Sequence, residues 1–246
     1  MWIFSSDIVV NSTKVLAGLL PNNRRLLGYQ NSVVSETLNV MMLPIPTAVP
    51  IIFYDTTAYS GVMDDIAKRI VERENEGMRG ISKDTSGFSR VGQYQYKMVT
   101  PDDVKFQLEG LDQKLPRWID RMIDAYSGWS WLFCIIDANA EMKNQPLLIE
   151  YDSFITDLYF PAMDVHGDED VVYDADRDHV FIIADPELME NDAVAYSFQY
   201  AGFPHDMRFG GMSLMKRSVN GDVFATLELT AVKRNWHLRF ENRFND

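Results

Sequence analysis

Two strings in this chain combine residue types that do chemistry at a spacing that allows it. They are Asp164-Val-His166-Gly-Asp168-Glu169-Asp170 and Asp174-Ala-Asp176-Arg177-Asp178-His179. Imidazole and carboxylate ligands together suit zinc, manganese or iron. Asp164, His166, Asp168, Asp174, Asp176, Asp178 and His179 are therefore a candidate ligand set for a divalent metal, in a metal-binding protein or a metal-dependent hydrolase. Asp174-x-Asp176-x-Asp178 also has the spacing that opens a calcium loop, where alternate carboxylates converge on one hard cation. The register then fails: the sixth position is His179 instead of Gly, and the twelfth is Asp185 instead of Glu. Val180-Phe-Ile-Ile183 follows, which reads as a strand, so an EF-hand is excluded.

The same acids admit two further uses. In an extended strand, alternate residues lie about 6.6 Å apart on one face. Carboxylates at 174, 176 and 178 would then form a row of negative charge, a crude copy of a nucleic-acid backbone and a decoy for proteins that bind one. More broadly, an acidic face steers and docks a basic protein surface. This last reading is the leading one: a binding or interaction protein with an acidic docking surface, more a non-enzyme than an enzyme. The charge distribution is its basis. Of 36 acidic residues, 13 fall between Asp152 and Asp192, where Arg177 is the sole cation. The net charge of −13 is thus almost wholly local. It argues against direct binding to nucleic acid or to an anionic membrane.

Other motifs are absent. The chain has no Gly-x-x-x-x-Gly-Lys-Ser/Thr, Gly-x-Gly-x-x-Gly, Gly-x-Ser-x-Gly or His-Glu-x-x-His. The lone cysteine, Cys134, lies inside Leu-Phe-Cys-Ile-Ile and reads as a buried, inert thiol. A single cysteine also excludes an intramolecular disulfide and favours a reducing compartment. His205-Asp206 follows Gly-Phe-Pro204 and reads as a turn, and His237 as a strand residue. The N-terminus lacks a basic n-region and no apolar run reaches the roughly 18–20 residues a membrane span requires. A soluble, cytoplasmic protein is the expectation.

The elements that must position these residues read as strand-rich. Trp2–Val10 and Lys14–Leu20 are apolar runs of strand type, with Pro21-Asn-Asn-Arg as a turn. Leu38–Ile52 is apolar but holds Pro44, Pro46 and Pro50, which predicts an extended, irregular segment instead of a central strand. Ser60–Glu74 has a helical apolar face of Met63, Ile66, Ile70 and Val71. Residues 75–89 are rich in glycine and charge and predict a flexible loop. Thr100-Pro101-Asp102-Asp103 is a helix start, and a second lies near Pro116, leading to the stripe Trp118, Ile119, Met122, Ile123 and Tyr126.

Trp129–Ile136 is a nearly continuous apolar run, which predicts a strand buried in mid-sheet. Pro146–Tyr151 is expected to pair with it as a hairpin. Val180–Ala184 and Val194–Tyr200 read as strands, and Asn220-Gly221 between Met212–Ser218 and Val223–Leu229 reads as a hairpin turn. Lys233, Arg234, Arg239 and Arg243 fall on a last basic strand. Strands and helices in runs, without strict alternation, predict an α+β fold with mainly antiparallel sheet and two or three helices. At 246 residues a single domain spanning 1–246 is expected.

Four strings carry a resemblance: Leu38-Asn-Val-Met-Met-Leu-Pro-Ile-Pro46, Ser89-Arg-Val-Gly-Gln-Tyr-Gln-Tyr, Leu158-Tyr-Phe-Pro-Ala-Met-Asp-Val-His166 and Asp178-His-Val-Phe-Ile. Together, over roughly residues 30–185, they resemble an uncharacterised group of soluble bacterial and phage proteins of unknown function. The resemblance implies one continuous domain and an intracellular setting. It brings no catalytic residue with it.

Overall fold

The computed structural model describes residues 3–20, 22–57, 61–64, 66, 84–85, 89–91, 94–137, 141–142, 146–163, 165–166, 176–184, 193–195, 208–211, 215–218, 222–230 and 233–241. Its strands are β1 (Ile3–Phe4), β2 (Val9–Leu19), β3 (Arg25–Val34), β4 (Asn39–Ile45), β5 (Ile52–Tyr54), β6 (Asp84–Thr85), β7 (Ser89–Val91), β8 (Tyr94–Val99), β9 (Ser130–Ile136), β10 (Glu141–Met142), β11 (Leu147–Tyr151), β12 (Leu158–Phe160), β13 (Val165–His166), β14 (Asp176–Ala184), β15 (Ala193–Ala195), β16 (Arg208–Gly211), β17 (Met215–Ser218), β18 (Asp222–Thr230) and β19 (Lys233–Glu241). The α-helices are α1 (Val104–Gly110) and α2 (Ile119–Ala125), and residues 62–64 and 66 are also helical. The fold is α+β and mainly antiparallel, as the sequence predicts.

The strands form three sheets. One runs β13-β1-β4-β9-β8-β7-β6, and a larger one runs β15-β16-β14-β2-β3-β11-β5 with β10 on β3 and β17 on β14; the third is β12-β18-β19. Parallel pairing joins β1 to β13 and β2 to β14. The two large sheets face each other. Met41, Leu43, Leu132 and Cys134 from one meet Val15, Leu27, Tyr29, Ile149 and Phe181 from the other in a shared core. Side chains alternate along a strand, so the intervening residues point to the outer faces, and those are covered too. Val40, Met42, Trp131 and Phe133 pack under α1 and α2. Leu16, Leu26, Leu148 and Ile182 pack under Met63 and Ile66. Burial on both faces is why Trp129–Ile136 shows no polar alternation.

Local signals hold where chemistry is local. Residues 22–24 turn the chain from β2 into β3. Asn23 takes φ 64°, a left-handed value that asparagine tolerates, and its N–H donates to the Leu20 carbonyl at 2.9 Å. Pro101 opens a 3₁₀ turn that runs into α1, and the Ile119 N–H donates to the Pro116 carbonyl at the start of α2. Trp118, Ile119, Met122 and Tyr126 are buried as the stripe predicts. Gly18 sits opposite Ala184, and a Cβ there would come within 2.8 Å of the Ala184 Cβ, so only glycine lets β2 and β14 approach this closely.

Three pairings differ from expectation. β4 is a central strand despite Pro44, flanked by β1 and β9. Among the described residues β1 pairs with Met41 and Met42, and Pro44 lies beyond that pairing, opposite Trp131 of β9 on the other side. Leu147–Tyr151 does not form a hairpin with β9: it crosses to the other sheet and pairs with β3 and β5, which bury all five of its residues. β17 pairs with β14, setting Lys216 against Asp178, while β18 makes a nine-residue ladder with β19. The Asn-Gly turn between them lies outside the described residues. Within the predicted loop 75–89, Asp84–Thr85 pairs with Ser89–Val91, and the remainder lies outside the described residues.

Candidate functional site

The candidate metal residues are distributed as follows. His166 lies on β13, paired to Phe4 at the end of one large sheet. Asp176, Asp178 and His179 lie on β14 in the other, paired with Ser218, Lys216 and both Thr13 and Met215 respectively. Asp164, Asp168 and Asp174 lie outside the described residues. The His179 ring is buried and stacks over Phe181, with centroids 6.1 Å apart at 24°. Among the described residues no group of three His, Cys, Asp or Glu side chains gathers around a common point. Asp176 and Asp178 occupy alternate positions of an extended strand, so their backbones stand roughly 6.6 Å apart along it.

The acid-rich segment is also less bare than its sequence. Asp152 accepts from the Arg24 Nη1 at 2.6 Å, and Asp157 from the Arg239 Nη2 at 2.6 Å. Arg24 and Arg239 come from β2–β3 and β19, remote in sequence. Arg24 also pairs through Nε with Glu150 at 2.5 Å. Glu150 in turn accepts hydrogen bonds from the Tyr54 hydroxyl and, at 3.3 Å, from Asn22 Nδ2. Burial, with the Glu150 carboxylate next to it, raises the Tyr54 phenol well above its ordinary range. Ion pairs and hydrogen bonds tie Arg24, Asp152, Glu150, Tyr54 and Asn22 into one cluster, which marks it as structural. Cys134 is fully buried, and desolvation pushes its thiol up, leaving no nucleophile at neutral pH.

The open surface with shape lies elsewhere, between β5 and β8. A cleft of about 540 Å³ is lined by Ala48, Val49, Pro50, Ile51, Phe53, Tyr96, Lys97, Met98, Val99, Thr100 and Ser130. Its volume suits a few side chains or a small ligand. Phe53 and Tyr96 stack across one end, with ring centroids 3.4 Å apart. The other end is closed where Ser130 donates through N and Oγ to the Thr47 carbonyl, at 3.2 and 2.7 Å. From Tyr96 to Thr100 the wall spans roughly 13 Å at the rise of a strand. The prolines shape this site. Pro44 and Pro46 end β4, and Pro50 holds the chain extended into β5.

Two properties set the rim apart. It is mostly apolar: Ala48, Val49, Pro50, Ile51, Phe53, Tyr96 and Met98 line it, and Val49 is 45% accessible. The ends of the cleft are acidic. Asp55 follows β5 and accepts from Thr57 N at 2.8 Å and Thr57 Oγ1 at 2.5 Å. Asp103 accepts from the cleft-lining Thr100 hydroxyl at 2.8 Å, and Asp102 beside it is exposed. Among the described residues no ion pair engages these three carboxylates. Lys97, on the wall, donates to Gln107 at 2.8 Å. Sequence reasoning placed Pro46 and Pro50 in an extended, irregular segment, but nothing in it pointed to the Asp55, Asp102 and Asp103 set.

No family model and no curated protein sequence matches this chain. Among solved structures it is similar to baculovirus P35, with TM-score 0.49 and 14% identity over 97% of this chain and 88% of that one. A mutated baculovirus P35 after caspase cleavage gives TM-score 0.49 and 12% identity over 89% and 98%. P35 in a caspase-8/P35 complex gives 0.41 and 11% over 93% and 84%. Among the described residues no helix is long and apolar enough to cross a membrane.

Proposed function

We propose that this chain is a binding protein that docks a basic protein partner, with the β5–β8 cleft as the docking site. The observation that carries the reading is the conjunction of an open cleft, its mostly apolar lining with Val49 exposed, and neighbouring carboxylates that no ion pair of the described residues offsets. Exposed apolar clusters of this kind are what a partner buries. Carboxylates at the ends supply orientation and on-rate more than affinity. The chain-wide charge of −13 works in the same direction, repelling acidic partners at a distance.

The test uses ten-residue fluorescent peptides that alternate Val or Leu with Lys, and a matched series with Glu in place of Lys. Fluorescence anisotropy reads binding. The Lys series binds, and its affinity falls as salt rises from 50 to 300 mM, because exposed charges are screened over a Debye length of about 10 Å at 0.1 M. The variant D102K weakens the Lys series and leaves unfolding unchanged. Equal binding of both series, or of neither, overturns the proposal.

A further inference from the structure

The cleft also indicates the conformation its occupant must adopt. β5 is the terminal strand of the larger sheet, and among the described residues it pairs with β11 alone, through Ile52, Phe53 and Tyr54. The opposite edge of Ile51–Phe53 borders the cleft, where Ile51 and Phe53 are lining residues. A terminal strand offers a row of N–H and C=O groups to any extended chain laid beside it. On the far wall, among the described residues β7 pairs with β8 as far as Tyr96.

The length of the edge is restricted. Pro50, immediately before it, has no donor, and Asp55, immediately after it, folds back on Thr57. A stretch of three or four residues therefore remains, enough for a short linear segment and too short for open-ended sheet growth. The side chains flanking that edge are apolar: Val49 and Ile52 exposed, Phe53 and Tyr96 in the cleft. The charges at its ends, Asp55 and Asp102 with Asp103, are negative. A second copy of this chain would bring net −13 against net −13, so like-charge repulsion disfavours it.

We infer that the occupant is an extended, cationic segment of a partner protein that adds as a further strand to the open edge of β5, with an apolar side chain seated in the cleft and Lys or Arg residues toward Asp55 and Asp102. Main-chain hydrogen bonds then supply affinity, and the cleft and carboxylates supply selection. This rests on the docking reading above and specifies its partner.

The experiment compares the Lys-series peptide with two versions N-methylated at alternate amides, in the two possible phases, against the full chain. Hydrogen exchange at Ile52 and Phe53 is followed in parallel. Strand addition predicts that one phase loses binding at least 50-fold while the other stays within threefold, and that exchange slows by tenfold or more at whichever of the Ile52 and Phe53 amides faces away from β11. Should both methylated peptides bind within twofold of the parent, with Ile52 and Phe53 unprotected, strand addition is overturned and docking stands. Should the parent peptide fail to bind, the docking reading itself falls. Protection of Ile52 and Phe53 that rises with protein concentration alone assigns the edge to a second copy and overturns the inference.

Discussion

Asp152 and Asp157 carry the same charge as Asp55, Asp102 and Asp103 but in opposite circumstances. The first two belong to the most acidic stretch of the chain, and each meets an arginine, 128 and 82 residues away respectively. The other three come from stretches of ordinary composition and bond hydroxyl or amide groups of their own turns, or stand exposed. Field strength at a surface is therefore governed by which carboxylates lack a partner in space, and crowding along the chain is a poor guide to that. Where the fold brings arginine to the crowded acids, it spends their charge on cohesion. Around the cleft the charge is left over for a partner.

The sharpest break in this comparison is at Glu150. It is the buried member of the compensated set, with a side chain 7% exposed against 20% for Arg24. Glu150→Ala strips a counter-charge from Arg24 and an acceptor from Tyr54. The expected loss is about 3 kcal/mol in urea unfolding, at the low end for a broken buried pair because Arg24 keeps some water contact. A loss under about 1 kcal/mol would put Glu150 in the same class as the cleft acids.

Next in size is Asp222, fully buried and accepting from the Tyr126 hydroxyl at 2.8 Å. Tyr126→Phe removes that donor and keeps the ring packed against Trp129 and Trp131. About 2 kcal/mol of destabilisation is expected, in the range for a hydrogen bond to a charged group. An unchanged denaturation midpoint would show that the bond makes no net contribution.

Buried acids with no compensating carboxylate role respond to pH instead. Burial raises the Cys134 thiol above its ordinary 9.0, and burial, opposed by Arg25, raises the Tyr151 phenol above its ordinary 10.0. The native state keeps a proton that the unfolded chain releases. Stability is thus fully present below about pH 9 and is lost as pH rises, first through Cys134 and then also through Tyr151, each by about 1.4 kcal/mol per pH unit. Cys134→Ala should abolish the loss between pH 9 and 10 in urea titrations at fixed pH. A decline of the same slope in the variant would assign it to other groups.

The smallest effects complete the contrast. Asp152 has a side chain 56% exposed, so Asp152→Asn costs about 0.5 kcal/mol despite its short ion pair. Asp102→Asn, with no ion pair to lose, leaves stability within about 0.5 kcal/mol and shows only in the salt dependence of peptide binding. If Asp102→Asn destabilised more than Asp152→Asn, the division of the acids into cohesive and available sets would fail.

Local structure was legible to the extent that its causes are local. Thr100-Pro101 starts a helical turn because proline fixes φ where no donor is needed. Asn23 turns the chain because its side chain tolerates positive φ. Trp118, Ile119, Met122 and Tyr126 announce their face through the helical period, and Ser130–Ile136 its double burial through an unbroken apolar run. Of the candidate metal residues, His166 falls on β13 and Asp176, Asp178 and His179 on β14, and Asp164, Asp168 and Asp174 lie outside the described residues. The stacking of Phe53 on Tyr96 gave no signal, since it joins two strands of different sheets.

Composition, strand richness, helix starts, the mid-sheet burial of β9 and the burial of Cys134 follow from the sequence alone, because each depends on residues within a turn or two of one another. The partners of β4, β11 and β17 were settled only in three dimensions. So was the division of carboxylates between arginines and the cleft. A strand's pattern states which faces it must bury but not which strand lies beside it, because many partners satisfy the same alternation. Ion pairs between residues 82 to 128 positions apart exist only once register is set across whole sheets. The site at β5 and β8 is thus a product of where two sheets end, and the end of a sheet is a property of the assembled fold.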